Sequence, residues 1–352
     1  MKPDFQPSEY FVQCVGIDIS KSSFTACLCM SNMKEKCQSE VVSFANTRQG
    51  FNQLLKWSRK EALKGFPIRF VMEATGVYYE SLAYHLYRIK QPVFVVLANK
   101  VHDYAKYEGV KTKTDEVDAR VIARMGCVTN SLYAWGPPAP VYRDIKQLTR
   151  ACAALKKMRV TLLNQLESLT HAEETLPSII KHYTKVVEDL DKQIDKLKME
   201  IDEKLRQDQK LAEKIERIAT IKGLSMDTIV SIIAETNGFA FITNRKQLAS
   251  YAGLDVRAHA SGQQDPKHHI SKRGNVRVRS MLYMPALVAS RFNPSLQLMY
   301  KRINERNPTC KKIGITALMR KLLLLIYTLW KNGEVFDPAK CLEQQPHVKA
   351  IA

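Results

Sequence analysis

The spacing of apolar positions splits the chain into two halves of different period. In the first, short apolar runs alternate with amphipathic stretches. Phe11 to Ile19, Phe24 to Met30 and Val41 to Ala45 read as strands of an antiparallel meander, the first ending in Gly16-Ile17-Asp18-Ile19. Gln49 to Leu63 carries Phe51, Leu54, Leu55 and Ser58 at helical spacing. Ile68 to Met72 is a buried strand running into Glu73. Tyr79 to Ile89 is helical, Val93 to Leu97 is another apolar strand, and Asp115 to Met125 is a helix. Three leading strands followed by strand–helix alternation predict a mixed α/β sheet.

Pro137, Pro138 and Pro140 interrupt the pattern and mark a linker. The period then becomes three-and-four. Ile145, Leu148, Cys152, Leu155, Met158, Leu162, Leu166 and Leu169 form one seam, and Pro177 interrupts it. Val187, Leu190, Ile194, Leu197, Ile201 and Leu205 form a second, extended by Leu211, Ile215 and Ile218. Two such arms predict an antiparallel coiled-coil hairpin or a dimerising coiled coil, the plainer alternative being two helices packed on their own domain. Ile221-Lys222-Gly223-Leu224, ahead of a helix from Thr228 to Glu235, resembles half of a helix-hairpin-helix, whose glycine turn offers backbone N–H groups to a phosphate. Helices over Lys246 to Ala252, Val276 to Ser290, Leu296 to Asn304 and Ile315 to Lys331 complete a mostly helical region. The expected fold class is thus α/β plus all-α.

Composition narrows the function. Of 352 residues, 45% are hydrophobic and 25% charged, which fits a folded protein and excludes disordered and collagen-like classes. The apolar run Leu322 to Trp330 is too short to span a bilayer, and Asp4 and Glu9 interrupt the N-terminus, so neither a membrane anchor nor a signal peptide is expected. Lys and Arg number 54 against 35 acids, a formal net charge of +19. That excess points to a polyanion, because cations that neutralise phosphates release condensed counterions. The eight cysteines contain no Cys-x-x-Cys pair, which argues against a zinc site and for reduced, mostly buried thiols in a cytoplasmic protein.

Within this basic chain four acids stand out. Asp18 lies between Ile17 and Ile19 inside an apolar strand, where a carboxylate costs desolvation unless it is paired or bound to metal. Glu73 ends the next buried strand, and ligand sites gather at such strand ends. Asp115 and Asp118, at i and i+3, share one helix face. Hard oxygen donors of this kind can hold two Mg²⁺ ions about 3.5–4 Å apart for in-line phosphoryl displacement. Plainer roles exist for three of them: Asp115 as an N-cap, Asp118 as a first-turn acid, Glu73 as a turn residue.

Three blocks, Gly16-Ile17-Asp18-Ile19-Ser20-Lys21, Glu73-Ala74-Thr75-Gly76 and Lys113-Thr114-Asp115-Glu116-Val117-Asp118-Ala119, resemble the acidic blocks of insertion sequence 110 family transposases. Tyr251-Ala252-Gly253-Leu254-Asp255, then Ser261-Gly262, then Ile270-Ser271-Lys272-Arg273-Gly274-Asn275 resemble the C-terminal half of that family, and the likeness spans roughly residues 12–335. The resemblance implies a RuvC-like DEDD catalytic domain over residues 1–136. It further implies a coiled-coil linker and oligomerisation region over 137–218, a helical transposase domain over 219–335, and a tail over 336–352. It implies Asp18, Glu73, Asp115 and Asp118 as the catalytic, metal-binding acids, with Mg²⁺ as cofactor and Mn²⁺ as an acceptable substitute. It also implies Ser261 as a nucleophile that forms a covalent phosphoserine link to DNA. The partners implied are donor and target DNA, a structured noncoding bridge RNA that pairs with both, and further copies of the chain in a homodimer or homotetramer, with no membrane. The protein would work on nucleoid DNA in a prokaryotic cytoplasm.

Ser261 by its residues is a turn serine before glycine; Ser271 and Ser280 compete for the nucleophile's role, and His259, His268 and His269 are proton-carrier candidates. Residues 266–304 hold eight Lys or Arg and no acid, with Lys272, Arg273, Arg277 and Arg279 clustered around Gly274 as phosphate contacts. Lys111 and Lys113, with Lys100, Lys106, Tyr104 and Tyr107, make a second basic and aromatic stretch beside Asp115. More than 100 residues separate the serine from the acids, so a composite active site, with serine and acids from different protomers, is expected. The rival readings are a RuvC-like structure-selective endonuclease using metal-activated water, a non-catalytic nucleic-acid-binding protein, and a site-specific invertase of the same family.

Overall fold

Alternation along the central strands sends bulky side chains to one face of a sheet and small ones to the other, and this builds the N-terminal unit. The computed structural model describes residues 11–32, 36–74, 76–130, 132–259 and 267–339, and the chain divides into two units at Pro137 and Pro138. Strand β1 (Val12–Ile19) pairs antiparallel with β2 (Ser23–Ser31). Strands β3 (Lys36–Gln38) and β4 (Val42–Ala45) pair antiparallel with opposite halves of β2 and serve as one broken edge. Helix α1 (Arg48–Glu61) starts at Thr47, whose hydroxyl accepts from the Gly50 amide. Strand β5 (Ile68–Glu73) runs parallel to β1, helix α2 (Glu80–Arg88) follows, and β6 (Val93–Val96) runs parallel to β5. Helices α3 (Ala98–Tyr107) and α4 (Asp115–Val128) complete the unit.

On one face Val15, Ile17, Phe24, Leu28, Phe70 and Met72 pack on Phe51 and Leu54 of α1 and Leu82 and Leu86 of α2. On the other, Cys14, Cys27, Cys29 and Val71 pack on Val101 of α3 and Ala119, Ile122 and Ala123 of α4. The mixed α/β sheet is the one expected. The three-residue β3 and helix α3 were not foreseen. Val101 is the one residue of α3 that is buried, so its apolar period is too faint to read.

The second unit opens with α5 (Pro140–His171) and α6 (Pro177–Arg206), each with proline in its first turn, where the missing N–H costs nothing. They pack as an antiparallel hairpin, crossed by Arg159 to Asp191 at 2.5 Å and Lys204 to Asp144 at 3.2 Å. The second seam does not continue unbroken. The Asp208 carboxylate accepts from the Leu211 amide at 3.1 Å and starts a separate helix, α7 (Gln209–Ala219). Its Leu211, Ile215 and Ile218 enter a helical core instead. That core is shared by α8 (Met226–Glu235), α9 (Arg245–Tyr251), α10 (Val276–Met281), α11 (Tyr283–Phe292), α12 (Pro294–Arg306) and α13 (Lys312–Asn332), and Ile145 of α5 belongs to it too. Between α9 and α10 lies a two-stranded sheet of β7 (Val256–His259) and β8 (Lys267–Ile270).

The apolar run near the C-terminus belongs to this longer helix α13, whose 21 residues could cross a membrane by length and composition. Its Leu318, Leu322, Leu323 and Ile326 are instead fully buried among the other helices, as in a core helix. Among the described residues Cys14, Cys27, Cys29, Cys127 and Cys152 are free and buried, Cys37 is half-buried and Cys310 exposed.

Candidate active site and nucleic-acid contacts

Asp18 and Glu73 reach the same level of the sheet because β1 and β5 are parallel and in register: Ile17 pairs with Met72, and the carboxylates come one residue later. Alternation turns Cys14, Gly16 and Asp18 toward α4, and Val71 and Glu73 likewise. Helix α4 lies almost on the backbone of β1. A Cβ on Gly16 would stand 2.1 Å from the Ala123 nitrogen and 2.6 Å from the Ala119 oxygen, so only glycine permits this approach. The start of α4 is pinned twice. Thr114, not Asp115, is its N-cap, accepting from the Val117 amide at 3.2 Å, and the Thr25 hydroxyl donates to the Asp115 carbonyl at 3.0 Å. Thr25 pairs with Asp18 across β1 and β2. Asp115 and Asp118 are thereby held over the carboxylate end of β1.

The electrostatics follow from that arrangement. Burial, then the charges of Asp118, Asp115 and Glu73, push the Asp18 carboxyl from 3.8 to about 6, against a hydrogen bond from the Ile19 amide. Burial also raises Asp118, Lys113 opposes that rise, and Asp115 adds to it. Each of the three other acids therefore acts on Asp18. As the side chains stand, no three His, Cys, Asp or Glu groups among the described residues close tightly enough to hold a metal ion. A divalent cation among these four acids would offset their mutual repulsion. By donor chemistry the set fits a hard cation such as Mg²⁺, which prefers carboxylate oxygens and keeps part of its water.

In the second unit the two C-terminal sequence blocks lie against each other. The Asn275 amide donates to the Tyr251 carbonyl at 2.6 Å, Lys272 N to the Gly253 carbonyl at 3.1 Å, and Arg279 Nη1 to the Ala252 carbonyl at 2.9 Å. A Cβ on Gly274 would meet the Gly253 nitrogen at 2.4 Å. Lys272, Arg273 and Arg277 are exposed around this junction, while Arg279 is half-buried with one N–H committed to Ala252. In the first unit Lys111 and Lys113 are exposed ahead of α4.

Ser261 lies outside the described residues, in the segment joining β7 to β8, and the His259 and His268 side chains are likewise outside the description. Ser271 Oγ bonds the Asp255 carboxylate at the foot of the β7–β8 hairpin and accepts from the Arg273 amide, and Ser280 Oγ donates to the Arg277 carbonyl at 3.0 Å.

Sequence reading overlooked Glu235 and Arg150. Glu235 is 4% exposed and takes two bonds from Arg150 of α5, at 2.6 and 2.9 Å, with Lys146 at 3.8 Å. Asn275 Nδ2 donates to the same carboxylate at 3.1 Å, and Asn275 Oδ1 caps α10. Burial pushes Glu235 up, but Arg150, Lys146 and Asn275 together hold it below the usual carboxylate range. It fastens the α5–α6 arm to the block that carries the β7–β8 hairpin. The available signal was an acid closing the apolar run Ile229 to Ala234.

A family profile described as a transposase, of the IS110 DEDD type, matches residues 15–172. A second, described as a transposase of the IS116/IS110/IS902 family, matches residues 215–301. The pilin gene-inverting protein of Moraxella bovis is 32% identical over 327 residues, covering 92% of this chain and 97% of its own, and the protein of that name from Moraxella lacunata matches to the same extent. The transposase for insertion sequence element IS1111A of Coxiella burnetii is 27% identical over 239 residues, 60% of this chain and 63% of its own.

Proposed function

The chain belongs to the IS110 family of transposases, and on that premise we propose that it is an Mg²⁺-dependent serine recombinase guided by a structured RNA encoded beside it. As a transposase it is an enzyme that acts on DNA. Asp18, Glu73, Asp115 and Asp118 hold the metal, with Mn²⁺ as a substitute. Bound there, the cation would draw charge from the reacting phosphate and lower the pKa of an attacking hydroxyl. Ser261 attacks the DNA phosphodiester. The serine oxygen bonds the phosphorus as the bond from phosphorus to one DNA oxygen breaks; the hydroxyl gives up its proton and the departing strand takes one up to leave as a free hydroxyl, so the energy of the cut is kept in a phosphoserine link for rejoining. Lys272, Arg273, Arg277, Arg279, Lys111 and Lys113 contact phosphates. The protein need read only backbone and shape if RNA pairing selects donor and target DNA. The RuvC-like character of the sheet domain, a coiled-coil seam in the α5–α6 arm, assembly as a dimer or tetramer and work on the nucleoid belong to the same reading.

The observation that supports it is that the charges of Asp118, Asp115 and Glu73 all act on the half-buried Asp18 carboxyl, which burial and those charges push to about 6. The relatives named for pilin gene inversion fit the same chemistry, since exchange between two inverted sites on one DNA flips the segment between them. Two measurements test the proposal together. Calorimetric titration with Mg²⁺ or Mn²⁺ should show binding that Asp18→Asn abolishes. Denaturing gels after incubation with RNA and DNA should show a protein–DNA adduct that Ser261→Ala lacks. Cleavage without an adduct would favour the endonuclease reading, and binding indifferent to metal the non-catalytic one.

A further inference from the structure

A second polar cleft in the N-terminal unit lies on the opposite face of the sheet from α4. It has a volume of about 330 Å³ and is lined by Arg48 and Phe51 of α1 and by Ser81, His85 and Arg88 of α2, with Ile89 at its rim. None of these lining residues is acidic. Neither guanidinium has a carboxylate within ion-pairing distance among the described residues; Arg88 rests 5.9 Å from the centre of the Tyr84 ring. The His85 ring lies tilted against that of Phe51, 5.4 Å between centres, and its Nε2 is buried with no hydrogen-bond partner among the described residues. Burial first, then the charges of Arg48 and Arg88, lowers the affinity of His85 for a proton, so both guanidiniums bear on the imidazole. Two guanidiniums without a carboxylate partner line one cleft, an arrangement that an anion would complete.

The cleft's position identifies the anion's class. Arg48 opens α1 two residues after Asn46, whose amide donates to the Ser20 carbonyl at 3.0 Å and the Tyr78 carbonyl at 3.2 Å. Those carbonyls belong to the chain just after Asp18 and Glu73, so the α1 end of the cleft sits at the carboxylate end of the sheet. A strand whose phosphate is held at the acids has further phosphates at regular intervals to either side.

We propose that the α1–α2 cleft binds a backbone phosphate of nucleic acid, with Arg48 and Arg88 as its cations and Ser81 Oγ as a hydrogen-bonding group. It holds the strand leading to or from the acids and carries no sequence information. Duplex DNA and guide RNA both present this group.

The test uses the full chain with fluorescein-labelled duplex DNA and, separately, a labelled RNA hairpin, by anisotropy between about 50 and 200 mM KCl. Arg48→Ala/Arg88→Ala should weaken binding about tenfold and reduce the slope of log affinity against log salt by about one, for the one phosphate no longer neutralised. Arg48→Lys/Arg88→Lys should keep the slope. A loss confined to the DNA probe assigns the site to the recombining strand, and one confined to RNA assigns it to the guide. A loss matched by Arg59→Ala/Lys60→Ala, at the other end of α1, or no change with either probe, overturns the proposal. Thermal unfolding of each variant checks the fold. Because Asp18→Asn leaves Arg48 and Arg88 in place, the salt slope separates failure of this site from failure of the metal reading.

Discussion

Replacing Asp18 by Asn should make the metal-free protein more stable while it destroys recombination. Asparagine keeps the size of the side chain and an oxygen to accept from the Ile19 amide, but removes a charge that three other acids oppose. A carboxyl moved from 3.8 to about 6 carries about 3 kcal/mol of penalty in its ionised form, at about 1.4 kcal/mol per pH unit. Solvent reaches this half-buried group, so roughly half of that, about 1.5 kcal/mol, is the realistic gain. For a unit of this size it corresponds to about 4–6 °C in Tm. The sign fixes the pH window. Below 3.8 both folded and unfolded chains hold the proton and no penalty exists; it grows between 3.8 and about 6 and is complete above. Thermal unfolding in EDTA should therefore show the variant ahead of wild type at pH 7.5, with a smaller lead at pH 5. An Asp18→Asn protein less stable than wild type at pH 7.5, or a lead independent of pH, would refute the argument that the acids crowd one another.

The same repulsion predicts that Mg²⁺ raises the Tm of wild type at pH 7.5 more than at pH 5, and that of Asp18→Asn little at either, as scanning calorimetry can measure. Gly16→Ala should lift α4 from β1, cost about 3 kcal/mol or more, and abolish calorimetric metal binding with all four acids intact; unchanged stability would mean that α4 does not lie on the strand. Glu235→Ala removes the carboxylate that Arg150, Lys146 and Asn275 share and should cost about 2–3 kcal/mol in chemical denaturation, less than a fully buried pair because Arg150 is partly exposed. Since Glu235 is held below the usual carboxylate range, its contribution is present above that range and lost as pH falls through its folded value, so the gap between variant and wild type should close in acid.

Much of this protein is legible in local pattern. Short apolar runs named the central strands, and three-and-four spacing named the long helices, because both patterns arise within a few residues of backbone geometry. Asp18 could be singled out since a carboxylate inside an apolar strand is costly wherever that strand goes, and the net charge of +19 announced a polyanion regardless of fold. What tertiary structure alone decided is everything that depends on distant segments meeting. Parallel register of β1 and β5 brings Glu73 level with Asp18, and the absence of a side chain at Gly16 lets α4 bring Asp115 and Asp118 over them. The break at Asp208 diverts Leu211, Ile215 and Ile218 from the arm to the core, and the Glu235–Arg150 pair joins residues 85 apart. The Arg48–His85–Arg88 cleft had no signature at all along the chain. Its residues come from two helices separated by a strand, and the energy that groups them lies in the shared burial of Phe51, Leu82 and Leu86, not in any local preference.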